Sequence, residues 1–250
     1  MAIQEYRFAA SDNVELVWYE LGQGRPLVLL HGLFSSAQMN WIKFGHAQTI
    51  AAAGYRLIMP DLRAHGQSDA PHDAACYPHD VLARDAEDLI AHLGLEEYDL
   101  GGFSLGARTT ARLVVRGSRP RKAILAGMGL EGLAGWTGRK DFFLDAIAHF
   151  DDAPRGSPWS MAIGFMKTMK VDRVAAKLLL ESFADTGAQE LAAFTMPTAV
   201  VCGTEDRDNG SPDALVAALP DAALYPIPGT HMSSVGNIEL GASIAAFLSA

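Results

Sequence analysis

The residue with the clearest potential for chemistry is Ser104, which stands in the sequence Gly102-Phe103-Ser104-Leu105-Gly106. A strand-like run ends just before this G-x-S-x-G pattern, and a helix-like run follows it. A serine between a strand and a helix, with a glycine two residues away on each side, is typical of a nucleophile elbow. The glycines allow the strand and the helix to approach closely, because side chains at those positions would collide. The pattern therefore predicts a nucleophilic serine at the end of a strand.

A nucleophilic serine needs a base, because a free hydroxyl is a weak nucleophile at neutral pH. His231 is the candidate, since it lies in a predicted loop between the last strand and the last helix. Asp206, which follows the preceding strand, is the candidate for the carboxylate that orients the imidazole. The open alternatives for this acid are Glu205, Asp208 and Glu131. The chain order Ser104, Asp206, His231 is one of the orders in which such triads occur.

Acyl transfer also needs backbone N–H groups that stabilise the oxyanion of the tetrahedral intermediate. Leu105, directly after the nucleophile, is predicted to supply one donor. Leu33, which follows a second strand and the pair His31-Gly32, is predicted to supply the other, with Phe34 as the alternative. His31 and His65 are interpreted as histidines that organise their loops, not as bases.

The elements that position these residues alternate between apolar strands and amphipathic helices. The predicted strands are 3–8, 14–21, 27–30, 56–59, 98–101, 122–126, 198–202 and 222–225. The predicted helices between and after them are 37–53, 80–93, 107–116, 211–219 and 238–248. This alternation predicts an α/β fold with a mostly parallel, doubly wound sheet and helices on both faces. Ligands bind such sheets beyond the carboxyl ends of the strands, where His31 and Ser104 are expected.

One stretch departs from this alternation. Residues 127–195 contain no clear buried strand, look helical at 141–150, 159–169 and 171–183, and are rich in Trp, Phe and Met. We interpret them as a helical cap, which gives a core of residues 1–130 and 196–250 and a cap insertion of residues 131–195. The residues predicted to form an apolar substrate pocket are Phe34, Trp159, Phe165 and Met166.

Composition narrows the class of protein. The chain has 250 residues, of which 49% are hydrophobic and 20% charged, so it can bury the core of one large domain. Its net charge of −9 gives nucleic-acid binding little electrostatic support. The two cysteines, Cys76 and Cys202, do not suggest a disulfide framework, and neither a signal peptide nor a membrane span is evident. A cytoplasmic monomer or homodimer is expected.

The motifs together point to a known family. They are His31-Gly32, the run from Asp61 to Ser68, Gly102 to Gly106, Gly203 to Asp206, and Gly229 to His231. With them the chain resembles the α/β-hydrolase superfamily over almost its full length, and in particular its small serine esterases and lactonases that carry a helical cap. Ala64 stands where the family's D-x-R-x-H-G-x-S loop usually has glycine. The resemblance implies no metal and no organic cofactor, and the serine argues against the dehalogenases and epoxide hydrolases, which use aspartate.

These observations predict a carboxylesterase-like enzyme that hydrolyses a small or medium, fairly apolar ester through an acyl-enzyme. Ser104 would attack the carbonyl, His231 would transfer the proton and Asp206 would hold the imidazole. Other reactions on the same triad remain open, namely enol-lactone or carbon–carbon bond hydrolysis. A lyase or cofactor-free oxygenase that reuses His231, and a non-catalytic ligand receptor, are further alternatives, because one fold hosts many functions.

Overall fold

A single eight-stranded sheet organises the part of the chain that the computed structural model describes, residues 2–250. Its strands are β1 (Gln4–Ala9), β2 (Glu15–Gly22), β3 (Arg25–Leu30), β4 (Tyr55–Pro60), β5 (Asp99–Phe103), β6 (Ala123–Ala126), β7 (Thr198–Gly203) and β8 (Ala222–Ile227). Their order across the sheet is β1-β2-β4-β3-β5-β6-β7-β8. β2 pairs antiparallel with β1 and β4, and the other pairings are parallel. The predicted mostly parallel sheet is confirmed.

The central strands form where the sequence is apolar without interruption. Every residue of β5, β6 and β7 is buried, as expected for parallel strands that are covered on both faces. The edge strand β1 is different, since all its residues except Phe8 are exposed and two of them, Glu5 and Arg7, are charged. Charges on an edge strand discourage pairing with another chain.

Helices cover both faces of the sheet. They are α1 (His46–Ala52), α2 (Val81–His92), α3 (Leu105–Arg116), α4 (Leu130–Ala134), α5 (Trp136–Ala148), α6 (Ser160–Met169), α7 (Arg173–Glu181), α8 (Pro212–Ala218), α9 (His231–Ser234) and α10 (Glu239–Ser249). α1 and α10 share one buried cluster through Ile50 and Ile244. α2 and α3 belong to another through Leu89 and Leu113, so they lie on the other side of the sheet. None of the helices within residues 2–250 is both long and apolar enough to cross a membrane.

The predicted helix 37–53 is wrong as one element. The chain forms a short π-helix, Gln38–Ile42, and then α1, which begins after Gly45. Gly45 has a φ of 82°, a left-handed conformation that interrupts a helix and that glycine adopts readily. Asn40 and Trp41 in the first turn are both buried, so tertiary contacts hold this turn in place.

The segment between β6 and β7 is helical, with α4 to α7 and a 3₁₀ turn at Ala188–Ala193. Its helices share a small apolar cluster of their own, in which Ala146, Ile163, Met166 and Ala176 are buried. Phe34, from the loop after β3, belongs to the same cluster and joins the segment to the sheet. The division of the chain into core and cap at residues 130 and 195 stays a prediction.

Candidate active site

Ser104 occupies a sharp turn between β5 and α3. Its φ and ψ of 53° and −109° are strained for a residue with a side chain. Its N–H donates to the carbonyl of Ala126 at 2.8 Å, which fixes the turn on the neighbouring strand β6. A Cβ atom at Gly102 would collide with the backbone of Gly106, and one at Gly106 would collide with the carbonyl of Leu30. Both glycines are therefore required by the close approach of strand and helix.

Three side chains far apart in the sequence are joined by hydrogen bonds. His231 Nε2 lies 3.0 Å from Ser104 Oγ, and His231 Nδ1 lies 2.8 Å from Asp206 Oδ2. Burial raises the pKa of Asp206, but hydrogen bonds from His231 Nδ1 and from the N–H of Asp208 lower it, and the pKa lies below its ordinary value. A charged Asp206 accepts a hydrogen bond from Nδ1–H of His231, so the lone pair of Nε2 faces the hydroxyl of Ser104. In this arrangement the imidazole can take the proton of Ser104.

His231 lies in a one-turn helix, whereas the sequence predicted a loop. Thr230 caps α9, because its hydroxyl accepts the N–H of Ser233 while the hydroxyl of Ser233 accepts the N–H of Thr230 at 2.8 Å. The ring of Phe103 lies 5.0 Å from the imidazole. The cap and the aromatic contact fix the imidazole above the elbow.

The alternative acids do not bond to His231. Glu131 accepts the N–H of Ser211 at 2.7 Å, and Glu205 and Asp208 are exposed. Asp208, Asp206 and His231 offer ligand atoms within 4.8 Å of one another, a grouping that could hold a metal ion. Because both nitrogens of His231 already face Ser104 and Asp206, a metal there would have to break this hydrogen-bond chain.

Two backbone N–H groups beside Ser104 are free to meet an oxyanion. The N–H of Phe34 donates to His65 Nε2 at 2.9 Å, so it is occupied. Among residues 2–250 no acceptor takes the N–H of Leu33 or Leu105, and both residues line the cavity described below. Leu105 also begins α3, whose N-terminus adds positive potential. Leu33 and Leu105 are thus placed as donors better than Phe34.

The loop that carries Leu33 is fastened to a second loop. We call residues 31–37 the oxyanion loop and residues 61–68 the clamp loop. Leu62 N–H donates to His31 Nε2 at 3.0 Å, and Ala37 N–H donates to Asp61 Oδ1 at 2.8 Å. Together with the bond from Phe34 to His65, three hydrogen bonds cross between the loops. The clamp loop also contains Ala64 with a φ of 64°, a conformation that explains why a glycine suits this position.

A cavity of about 710 Å³ opens onto Ser104. Phe34 and Phe165 line it, but Trp159 and Met166 do not, so the prediction for those two residues is wrong. Met166 is fully buried in the apolar cluster between the helices, and the ring of Trp159 stacks on His149 at 4.7 Å. An aromatic or apolar side chain on an amphipathic helix can face either side, and the sequence did not fix the rotation of α6.

Several lining residues were not anticipated from the sequence. The apolar ones include Met128, Trp136, Phe142, Phe143 and Met161, and the polar ones include Arg108, Arg139, Asp208 and Asn209. Arg108 could have been anticipated, because it lies one helical turn after Ser104 and therefore on the same face of α3. Arg139 and Asn209 carry no comparable pattern, since their neighbours come from distant parts of the chain.

Comparison with known proteins places the chain among related sequences. Residues 25–130 match the family model for the alpha/beta hydrolase fold. A non-heme haloperoxidase of Rhodococcus erythropolis is 28% identical over 96% of this chain and 97% of its own length. The AB hydrolase superfamily protein YisY of Bacillus subtilis is 34% identical over 42% of this chain, and the match spans only 37% of the length of YisY.

Solved structures with low sequence identity share the whole fold. An esterase from Exiguobacterium antarcticum superimposes with a TM-score of 0.79 at 19% identity, covering 98% of this chain and 99% of the esterase. An enol-lactonase from Burkholderia xenovorans gives a TM-score of 0.76 at 20% identity, covering 98% of this chain and 100% of the lactonase. Together with the family-model match, the strand order and the elbow at Ser104, these likenesses show that the chain has the α/β-hydrolase fold.

Proposed function

We propose that the protein is a serine hydrolase that cleaves a small or medium, fairly apolar carboxylic ester. The observation that carries this proposal is the hydrogen-bond chain from Asp206 through His231 to Ser104, which ends at an open cavity. Such a chain is what a serine needs in order to act as a nucleophile at neutral pH.

The reaction would proceed through an acyl-enzyme. Ser104 Oγ attacks the ester carbonyl while His231 Nε2 takes its proton, and Asp206 stabilises the imidazolium that forms. The N–H groups of Leu33 and Leu105 receive the oxyanion, a contribution typically of about 3 to 4 kcal/mol per donor. His231 then protonates the leaving alcohol. A water molecule, deprotonated by His231, hydrolyses the acyl-enzyme and restores the hydroxyl.

The walls of the cavity support an apolar substrate. Most of the lining is aromatic or aliphatic, with Phe34, Phe103, Phe142, Phe143, Phe165 and Trp136 among its members. A volume of about 710 Å³ is in the range of small-molecule sites.

The test begins with 4-nitrophenyl acetate and butyrate as substrates. We expect turnover and covalent labelling by a fluorophosphonate in the wild type, and loss of both in Ser104→Ala. Turnover in His231→Ala should fall by several orders of magnitude. Absence of both turnover and labelling in the folded wild type would refute the proposal and favour a receptor. Labelling without ester turnover would favour lactone or carbon–carbon bond hydrolysis.

The identity of the acid is tested separately. Asp206→Asn should lower kcat by about 10⁴-fold, because the imidazole loses the carboxylate that sets its tautomer. Asp208→Asn and Glu131→Gln are matched controls that remove a nearby carboxylate without breaking the bond to His231. A larger loss in either control than in Asp206→Asn would overturn the assignment.

A further inference from the structure

Two arginines interrupt the apolar walls of the cavity. Arg108 on α3 and Arg139 on α5 both line it, in a protein whose net charge is −9. A cation inside an apolar cavity is costly unless it is paired, so each arginine needs a physical account.

Arg108 is held by the protein itself. Its two terminal nitrogens donate to the carbonyls of Ala184 and Gly132 at 2.6 Å each, and Asp185 lies 3.4 Å away. Its guanidinium also lies over the ring of Trp136. Burial lowers the pKa of Arg108 to about 10 against the opposing effect of Asp185, and the nearby charge of Arg139 lowers it further. Arg108 is thus a structural cation that adds positive potential to the cavity.

Arg139 is held much less completely. One terminal nitrogen donates to Oδ1 of Asn209, whose own amide donates to the carbonyl of Gly127 at 2.7 Å. The other N–H groups of the guanidinium, at Nε and Nη2, have no acceptor within residues 2–250, and no carboxylate there lies within 4.0 Å of it. Burial lowers the pKa of Arg139, opposed by the more distant charges of Asp208 and Asp206. A partly buried fork of donors is therefore oriented by Asn209 but left without an ion-pair partner.

We propose that Arg139 binds a carboxylate of the substrate, so that the ester cleaved at Ser104 also carries a free carboxylate group. The substrate class is then a half-ester of a dicarboxylic acid or a lactone acid, and this part rests on the proposed function. Two N–H groups of one guanidinium match the two oxygens of a carboxylate. The positive potential of Arg108 favours the same anion, while the apolar walls receive the carbon chain between the carboxylate and the ester.

The experiment uses two esters of equal chain length, monomethyl adipate and methyl hexanoate, which differ in a terminal carboxylate or methyl group. We expect the wild type to prefer monomethyl adipate by at least about tenfold in kcat/KM. Methyl hexanoate leaves the partly buried guanidinium of Arg139 without a partner, and an unpaired charged group of this kind costs more than about a factor of ten. Arg139→Met should lower that ratio about tenfold or more, and Arg139→Lys should give an intermediate ratio. Lys140→Met removes the adjacent charge, which pairs with Glu181 outside the cavity lining, and should keep the wild-type ratio.

A binding measurement separates this proposal from the hydrolase proposal. Calorimetry with the Ser104→Ala protein should show binding of monomethyl adipate that weakens about tenfold or more when Arg139→Met is added. If both esters are hydrolysed with the same ratio in wild type and Arg139→Met, the carboxylate site is refuted and the hydrolase stands. If Arg139-dependent binding is seen in a protein that neither turns over the 4-nitrophenyl esters nor is labelled by the fluorophosphonate, the hydrolase is refuted and the carboxylate site stands. Equal binding by both Ser104→Ala proteins overturns the site regardless of turnover.

Discussion

His31 and His65 lie in the loops beside Leu33, the proposed oxyanion donor, yet neither is available as a base. His31 uses its two ring nitrogens on Gly32 O and Leu62 N–H, and His65 uses its two on Arg63 O and Phe34 N–H. Burial lowers the pKa of His31 to about 4 and that of His65 to about 3, so both are neutral at pH 7. The role of each histidine thus follows from its neighbours and not from its residue type.

The neutral state of His65 predicts a particular sensitivity to acid. Its pKa of about 6.5 in the unfolded chain exceeds the folded value of about 3, so the unfolded state binds the proton more tightly. Stability from this histidine is present above pH 6.5 and is lost between about pH 6.5 and 3, by about 1.4 kcal/mol per pH unit. His65→Gln retains a hydrogen-bond acceptor for Phe34 but cannot titrate. We expect its free energy of unfolding to fall less steeply with acid than that of the wild type.

Urea titrations at several pH values measure the free energy of unfolding of both proteins. The two proteins have the same carboxylates, so the contribution of these groups cancels when the curves are subtracted. His79→Gln, which makes the same substitution at an exposed position, is the control for the change of residue type itself. Parallel curves for His65→Gln and the wild type would contradict a buried neutral imidazole.

The sequence allowed prediction of those site residues that can be recognised from their neighbours in the chain. Ser104 is defined by its flanking glycines, and Asp206 and His231 by the ends of strands. Arg139 and Asn209 meet only in three dimensions, from α5 and from the loop after β7. Their pairing leaves no local pattern, so sequence alone could not reveal it.

At the scale of elements, the π-helix Gln38–Ile42 is important for the oxyanion loop. It directs Asn40 toward Gly32, whose N–H donates to Asn40 Oδ1 at 3.0 Å. Asn40 is 2% exposed and its Nδ2 has no partner among the described residues, so the side chain is positioned by this one bond and by packing. The π-helix, which the sequence did not predict, therefore holds Gly32, the residue directly before Leu33.

Asn40→Ala should weaken catalysis more than binding. Losing the acceptor leaves the buried N–H of Gly32 unpaired and lets the oxyanion loop shift, so we expect kcat to fall by about 10- to 100-fold. KM should change little, because the aromatic walls remain. Steady-state kinetics on 4-nitrophenyl butyrate measure both constants. The exposed neighbour Gln38→Ala serves as control, and a kcat equal to that of the wild type in Asn40→Ala would exclude this role.

The secondary-structure elements could be predicted from the sequence where all their residues are buried. The central strands lie within one or two residues of their predicted ranges, because both faces are covered and the apolar runs are continuous. The break at Gly45 and the single turn of α9 were not predicted. In both places a capping or left-handed residue decides the conformation, while the apolar pattern is compatible with either outcome.

At the scale of the whole molecule, the sheet brings together residues separated by long stretches of chain. Ser104 and His231 are 127 positions apart, yet β5 and β8 end at the same edge of the sheet. The parallel class of the sheet followed from the alternation of elements. The order of its strands did not, because the sequence contains no direct record of which strands pair. The residues that line the cavity could not be predicted from the sequence either, because they depend on how α5 and α6 are rotated about their axes.

The three hydrogen bonds between the oxyanion loop and the clamp loop make a prediction about amide exchange. The donors at Phe34, Ala37 and Leu62 are buried, and their loops follow the paired strands β3 and β4. These amides should exchange with solvent deuterons only when the whole sheet opens, at rates set by the global free energy of unfolding. The unbonded amide of Leu33 should exchange orders of magnitude faster.

Exchange followed residue by residue with NMR measures this contrast. Exchange of Phe34 and Ala37 as fast as that of Leu33 would mean that the loop opens locally. If they exchange only globally, Leu33, the proposed oxyanion donor, cannot be displaced while the sheet remains folded. Activity and tertiary structure should then disappear at the same denaturant midpoint, without an inactive state that is still folded.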